Sequence, residues 1–460
     1  MNAFFRAARA LQSGLATLCV LAGMPALSRE LYASTYHPAN GSLAIVGATI
    51  LTGEGAQIDN GTLLVVRGRI AGVGATVVVP PGVPMIDGRG KWVTPGLIDM
   101  HSHMGANSLP TTFATSAFNE MSSPNSAEAW VEHSIRVDDP SFSRARESGI
   151  TAVQILPGSA NIFGGRTVVL KNVASPTVEG MKMPGAPYGM KMACGENPIF
   201  AYGTQRKAPG TTMESMAMAR SAFSAAQEYR SAWQKFRNQQ HAGKHAKAPA
   251  RNWQLETLVG VLDGSIRVHV HCYRSDQMVQ MIGLAHEFNF KITAFHHAVE
   301  AYRIADLLTA EHIGVTSWAD FYGPQHKIEG FNGIPENGAF VEHVGGLFAV
   351  SSDSESLTQH LHSSAGRLRA LSDHMGWPVS RAEAIRWLTL NPALLLGVDR
   401  EIGSLAVGKA GDVVLWSRDP FSIYSLAEQV FVDGGKVFDR NQPLPPDSDF
   451  ALGLYDRGAP

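Results

Sequence analysis

From residue 42 the chain opens in short apolar runs broken by glycines. Ala44-Ile45-Val46, Thr62-Leu63-Leu64-Val65-Val66 and Ile70-Ala71-Gly72-Val73 read as β-strands, and Arg67-Gly68-Arg69 is the hairpin turn between two of them. A sheet with no helix to cover it needs a second layer. The strand-like runs Asp412–Trp416 and Gln429–Val437 near the other end supply one. Residues 42–92 and 399–440 are therefore expected to meet in one small β-sandwich. Between them, residues 93–398 alternate apolar strands with helical stretches, the signature of parallel βαβ units. The strand candidates are Gly96–His101, Thr151–Leu156, Val168–Lys171, Gly189–Ala193, Ile266–His271, Lys291–His296, Gly314–Trp318 and Leu347–Ser352. Such a series suits an α/β fold of the (β/α)8 TIM type. A doubly wound open sheet gives a similar string, and periodicity alone does not separate the two.

Two further stretches stand outside this alternation. Thr211–Gln240 predicts one long helix, and the basic, Ala/Pro-containing run His241–Arg251 after it reads as a solvated loop. The tail, 441–460, is rich in Pro and Asp and is expected on the surface. At the other end, Arg6 and Arg9 precede the apolar run Leu11–Gly23, followed by Ala26-Leu27-Ser28. Residues 1–28 thus read as a signal peptide, too short and interrupted for a spanning anchor. Export to a periplasm or secretion is expected. An organelle presequence (Arg and Ser, no acid before Glu30) and a cytoplasmic location are the alternatives.

Charge adds one exclusion. The 38 basic and 40 acidic side chains nearly cancel, so no nucleic-acid partner is implied. Of three cysteines, Cys19 lies in the leader, and Cys194 and Cys272 form no Cys-x-x-Cys pair. That argues against a disulfide scaffold or a zinc ribbon. The 17 histidines invite a search for metal or acid–base chemistry.

The strongest local signal is Thr94-Pro95-Gly96-Leu97-Ile98-Asp99-Met100-His101-Ser102-His103, an apolar strand closing in two histidines at i and i+2. That spacing puts both imidazoles on one face, as the first pair of ligands of a Zn²⁺-type ion requires. A β-rich start followed by Pro-Gly-Leu-Ile-Asp-x-His-x-His resembles the amidohydrolase superfamily, in particular its imidazolonepropionase and Xaa-Pro-dipeptidase-like branch. The run Gly403–Leu415 is similar to the superfamily's return into the small sandwich, so the resemblance spans about Leu43 to Arg440.

The resemblance implies four further groups in order. On strand five, His269 and His271 share a face; active sites of such barrels sit at the C-terminal strand ends, which favours His271 and leaves His269 as a buried, hydrogen-bonded neighbour. On strand six, His296 and His297 face opposite sides of a regular strand, so only one should reach the centre. Similarity to the branch's His-Gly-x-Glu favours His297. Asp353 closes strand eight, where a carboxylate is costly unless it meets a cation or moves a proton. Asp320 is its weaker rival. On strand four, Lys191 is unusual as plain core and fits a CO₂-carboxylated lysine, whereas Glu196 is the alternative carboxylate ligand. Tyr273 and Arg274 just past strand five, and Arg166 in the Gly-rich 158–166 stretch, are candidates for gripping substrate. For Arg274 an ion pair with Asp276 is equally in view. Met181, Met183, Met190 and Met192 read as core rather than copper ligands.

The implied centre holds two divalent ions, Zn²⁺ with Mn²⁺ or Co²⁺ as alternatives. His101, His103 and Asp353 would bind one, His271 and His297 the other, and carboxylated Lys191 would bridge them. The implied reaction is hydrolysis of an amide or peptide bond in a small molecule such as a dipeptide or N-acyl amino acid, with Asp353 as general base then acid. A cyclic-amide hydrolase is the runner-up, and a non-catalytic relative used for binding or assembly the third reading. Relatives are often assemblies, so a homo-oligomer is expected by analogy.

Overall fold

The computed structural model describes residues 36–319 and 327–442. The leader, Asp320 and the tail from residue 443 lie outside them. Five strands come first: β1 (Leu43–Leu51), β2 (Gln57–Val66), β3 (Arg69–Gly74), β4 (Met85–Asp87) and β5 (Trp92–Pro95). Eight more follow: β6 (Leu97–Ser102), β7 (Ile150–Ile155), β8 (Phe163–Lys171), β9 (Gly189–Ala193), β10 (Arg267–Cys272), β11 (Ile292–His297), β12 (Gly314–Ser317) and β13 (Phe348–Val350). The described chain ends in β14 (Val413–Trp416), β15 (Ala427–Val432) and β16 (Gly435–Asp439).

The two chain ends share one sheet, in the order β16-β15-β14-β5-β1-β2-β3 with β4 also on β1. They join edge to edge where β14 runs antiparallel to β5, Val414 opposite Thr94. Ile45, Leu63 and Val65 from one end and Val413, Leu415 and Phe431 from the other bury into a common core. The chain crosses to the second sheet at Gly96. Its amide donates to the Asp412 carbonyl at 2.8 Å, and any Cβ there would run into the Thr151 side chain. The glycine of the motif is thus a packing requirement at the junction. A buried ion cluster reinforces that junction: Lys171 of β8 reaches Asp412 at 2.8 Å and Asp433 at 3.3 Å.

The second sheet is the barrel, ordered β6 to β13. All eight strands expected from the sequence are present, but one runs the wrong way for an all-parallel barrel. β8 is antiparallel to both β7 and β9. Only residues 156–162 separate it from β7, too few for the crossover that parallel pairing needs. The remaining neighbours pair in parallel. The barrel closes between β6 and the segment after β13. There the Asp353 amide donates to the His101 carbonyl (2.9 Å) and the Ser352 amide to Asp99 Oδ1 (3.2 Å).

The long helix is Thr212–His241, capped by Thr211, whose hydroxyl accepts from the Glu214 amide at 3.2 Å. The basic run after it is largely exposed up to the next helix, Trp253–Leu262. The four methionines are all buried in the core. Among the described residues no helix is long and apolar enough to cross a membrane.

Candidate metal centre

The closing seam brings the ends of β6 and β13 together, and the chemistry-bearing side chains meet there. His101 Nε2 and His103 Nε2 each lie 3.2 Å from Asp353 Oδ1. His297 Nε2 is 3.9 Å from Asp353 Oδ2. Donor atoms of His101, His297 and Asp353 all fall within 4.8 Å of one another, a spacing one ion can bridge. His103 donates its Nδ1–H to the Leu156 carbonyl at 2.8 Å, which leaves Nε2 with a lone pair aimed at the cluster.

His271, one strand over on β10, is buried, and neither ring nitrogen has a partner among the described residues. Its ring lies 4.6 Å from that of His297. A buried imidazole without any hydrogen bond is costly unless a ligand takes a nitrogen, so this orphaned ring fits a metal. Lys191 points into the same interior from β9, fully buried, with Nζ 3.2 Å from His101 Nε2.

Burial sets the charge states. It pulls His101 and His271 well below the ordinary imidazole value and His297 down to about 3, so each ring is neutral and free to ligate. It also lowers the Lys191 ammonium to about 8, which puts the nucleophilic free amine within reach of neutral pH. Burial pushes the Asp353 carboxyl up, but His297, His103 and Lys191 outweigh that and hold it below the usual carboxylate range.

The pair at the end of β11 departs from the strand rule. His296 and His297 are both interior, because His297 and Ala298 leave the extended conformation at φ 67° and 40°. His296 points down the barrel, toward His101 and His269, while His297 folds over the cluster and stacks on Trp318. The expectation that only one could reach the centre fails at this break in alternation. Asp353 is likewise at positive φ, 53°. Backbone held in this region by non-glycine residues clusters at functional sites.

A cavity of about 510 Å³ opens above the cluster, lined by His103, His271, Tyr273, His297 and Asp353 and walled by Phe118, Trp318 and Lys327. Tyr273 is therefore where the sequence put it. Arg274 and Arg166 are not: neither lines this cavity. Arg274 forms a two-bonded pair with Asp276, 3.0 Å on each arm, at the surface. Arg166 lies over the Trp130 ring and donates to Thr257, on the flank of the barrel. The Glu196 backbone amide donates to Glu329 at 2.8 Å, and repulsion from Glu329 adds to burial in raising the Glu196 carboxyl; Lys191, not Glu196, contacts the His101 ring. The Gly-rich stretch contributes Ser159 and Ala160 to the rim.

Several groups escaped the sequence reading. Trp318 and Phe118 brace His297 and His103, with ring centroids 4.4 and 4.8 Å away. Position at a strand end was the one signal for Trp318; Phe118 and Lys327 had none. Asp99 accepts from the His101 amide at 3.2 Å, and burial raises its carboxyl to about 6. Cys194 and Cys272 are disulfide-bonded, with Cα atoms 5.3 Å apart, against the expectation drawn from their spacing. They sit at the ends of paired strands 78 residues apart in sequence, and the Cys194 amide donates to the His271 carbonyl at 2.9 Å, so the register of β9 on β10 makes the bond.

Comparison with known proteins agrees with this geometry. The model of the amidohydrolase family matches residues 92–439. The amidohydrolase tasK of Hapsidospora irregularis is 30% identical over 399 residues, which cover 82% of this chain and 40% of that protein. The chain thus spans well under half the length of that relative. An imidazolonepropionase of Cupriavidus taiwanensis is 46% identical over 50 residues, 10% of this chain and 12% of the other. A crystal structure of an amidohydrolase from Thermotoga maritima MSB8 superposes with a TM-score of 0.78 at 30% identity, covering 86% of this chain and all of that one.

Proposed function

Since the chain belongs to the amidohydrolase family, we propose that it is a metal-dependent hydrolase that cleaves the C–N bond of a small amide, a dipeptide or N-acyl amino acid. The observation that carries this reading is the convergence of buried imidazoles on the Asp353 carboxylate, with the nearby His271 ring unpartnered among the described residues. These donors suit Zn²⁺, with Mn²⁺ or Co²⁺ as substitutes. His101, His103 and Asp353 would hold one ion and His271 and His297 a second, with Lys191 between them as a carbamate formed from CO₂ and its free amine. When bound, such ions supply a water of lowered pKa and a Lewis acid for the scissile carbonyl.

The chain's own residues do the rest. Asp353, held ionised by its neighbours, accepts the water's proton at a carboxylate oxygen and returns it to the departing nitrogen. His103 is kept in the ligating tautomer by Leu156. Lys327, half-buried in the wall, opposes a substrate carboxylate, while Phe118 and Trp318 exclude water around an apolar acyl or side-chain group.

A cyclic-amide substrate is the second reading, supported by the short stretch shared with an imidazolonepropionase. For location, the Cys194–Cys272 bond supports passage out of a reducing compartment, in keeping with a leader at residues 1–28. The test is elemental analysis of protein purified without chelators, followed by assay on N-acyl amino acids and dipeptides beside cyclic amides. Bound metal with turnover of the linear amides supports the proposal. Turnover of cyclic amides alone moves the second reading to the front, and protein free of metal that hydrolyses nothing overturns both.

A further inference from the structure

On the flank of the barrel lies a second cavity of about 720 Å³, set between β8, the long helix and the helix Trp253–Leu262. Tyr188 and Ile266 in its wall immediately precede β9 and β10, so it opens at the end of those strands opposite to His271. Nothing in the proposed hydrolysis uses it.

Its charges do not cancel. Four arginines line it, Arg166, Arg230, Arg237 and Arg251, against two carboxylates, Glu256 and Asp263. Both carboxylates are already taken. Glu256 accepts from both arms of Arg251, at 2.8 and 2.9 Å, and from the Tyr229 hydroxyl at 3.2 Å. Asp263 accepts from Arg230 at 2.9 Å. Glu132, which also acts on Arg166, is held by Lys182 at 3.0 Å and by the Tyr188 hydroxyl at 3.2 Å. Arg166 and Arg237 are thus left without a carboxylate partner among the described residues. Arg237 donates to the side-chain oxygen of Gln234 at 3.0 Å. Arg166 donates from Nε to Thr257 at 2.9 Å and lies over the Trp130 ring at 4.3 Å; the two terminal nitrogens of its fork have no acceptor among the described residues. Burial holds this guanidinium below its ordinary value, against the pull of Tyr188, Glu256 and Glu132. A guanidinium keeps its charge at such a site, so Arg166 is a cation partly stripped of water and unpaired. That is costly unless an anion joins it.

The rest of the wall supplies flat faces, from Tyr188, Tyr229 and Trp233. Planar guanidinium forks match phosphate oxygens two at a time, and flat faces take a flat ring. A phosphate monoester carries a charge of about −1.5 to −2 at neutral pH, enough to answer two unpaired arginines, where a carboxylate carries one. We propose that this flank cavity binds a small phosphate monoester bearing an aromatic ring, of the nucleoside monophosphate kind. Arg166 and Arg237 grip the phosphate, and Tyr188, Tyr229 and Trp233 pack against the ring. Arg166 is then an anion-binding arginine, as its sequence context suggested, for a ligand other than the substrate.

The test is a binding measurement that needs no turnover, so it stands apart from the hydrolase reading. AMP, adenosine and inorganic phosphate are titrated by calorimetry into the full chain as purified, with thermal melts run on each variant. Saturable binding of AMP is expected, tighter than that of adenosine or phosphate alone. Arg166→Met is expected to weaken AMP binding by about 10–100-fold, and Arg237→Met, on the exposed face of the long helix, by about 3–10-fold. Should Arg166→Met fail to fold, Arg166→Lys takes its place: it keeps the charge without the fork and is expected to lose most of the same affinity. Arg274→Met, which removes an arginine from a surface ion pair elsewhere, is expected to bind AMP as the wild type does. No binding of AMP, equal binding of adenosine, or AMP binding that ignores Arg166 and Arg237 overturns the inference. The last result would place the phosphate elsewhere, the candidate metal centre included.

Discussion

The imidazole of His297 stacks on the indole of Trp318, with ring centroids 4.4 Å apart and planes 22° from parallel. This contact explains how a histidine at positive φ is held over the cluster: the ring is clamped between Trp318 on one side and His101 and His271 on others. Removing the clamp should loosen His297 while leaving every other donor of the proposed centre in place. Trp318→Ala is expected to weaken metal retention and lower kcat by about tenfold or more, whereas Trp318→Phe keeps a flat face and most of the activity. Metal content and kcat measured on the same preparations check this; an unaltered Ala variant would show the stacking to be idle.

Lys191 invites a test by chemical replacement. Its amine is buried 3.2 Å from His101 Nε2, and no carboxylate among the described residues is bonded to it. On the proposed two-ion reading, Lys191→Met lowers metal content from about two ions per chain to one or none, because the group proposed to bridge them is lost. Lys191→Glu, which supplies a shorter carboxylate, is expected to retain more metal than the Met variant. Equal metal in wild type and Lys191→Met would remove the lysine from the centre.

Particular residues show which parts of this site could be read from the chain. His101 and His103 stood out as an i, i+2 pair closing an apolar strand, whereas His271 and Asp353 were singled out with the help of the family resemblance; the structure brings the four to one end of the barrel. The eight barrel strands were legible from their apolar runs, as was the long helix with Thr211 at its start. The direction of β8 was not, because it depends on the length of one connection rather than on any pattern within the strand. The Cys194–Cys272 bond and the Asp99 seam depend on register between strands distant in sequence. His296 was set aside in favour of His297 because alternation was assumed to continue through residue 297, where the backbone turns to positive φ. Lys327 lies in an irregular segment with no periodic signal.

Lys171 ties the barrel to the sheet built from the chain ends, through Asp412 and Asp433. All three side chains are nearly fully buried, so removing the cation strands two carboxylates. Lys171→Met is expected to destabilise the protein by about 3–5 kcal/mol. Denaturant unfolding checks it. The triple change Lys171→Met, Asp412→Asn, Asp433→Asn should recover part of the loss, because the buried charges go with the cation.

Glu342 offers a pH-dependent test away from the centre. Burial raises its carboxyl above the ordinary value of 4.5, although the Trp387 indole donates to it at 2.9 Å and Arg386 lies nearby. A folded-state value above the unfolded one means that the protonated form favours the fold. That contribution is complete below pH 4.5 and is lost as pH rises through the folded value. Glu342→Gln keeps an acceptor for Trp387 and cannot ionise. It is expected to melt at a higher temperature than wild type at pH 8, with the difference shrinking as pH falls toward 4.5. A constant difference across that range would rule out ionisation of Glu342 as the cause.

Lys327 carries the substrate part of the proposal. Its ammonium is half-buried in the cavity wall, hydrogen-bonded to Asn197 and facing the charges of Glu196, Asp353 and Glu329. Burial holds its value below the ordinary one, and those carboxylates oppose that shift in part. A substrate carboxylate would gain a charge-assisted hydrogen bond there, of about 1.5–3 kcal/mol. Lys327→Met is therefore expected to raise KM for an N-acyl amino acid by about 10–100-fold with little change in kcat. For the same compound with its carboxylate capped as an amide, KM should barely respond. The two outcomes separate cleanly: a loss confined to the free acid assigns Lys327 to carboxylate recognition, while equal losses on both compounds would mean that it shapes the cavity without reading the substrate's charge.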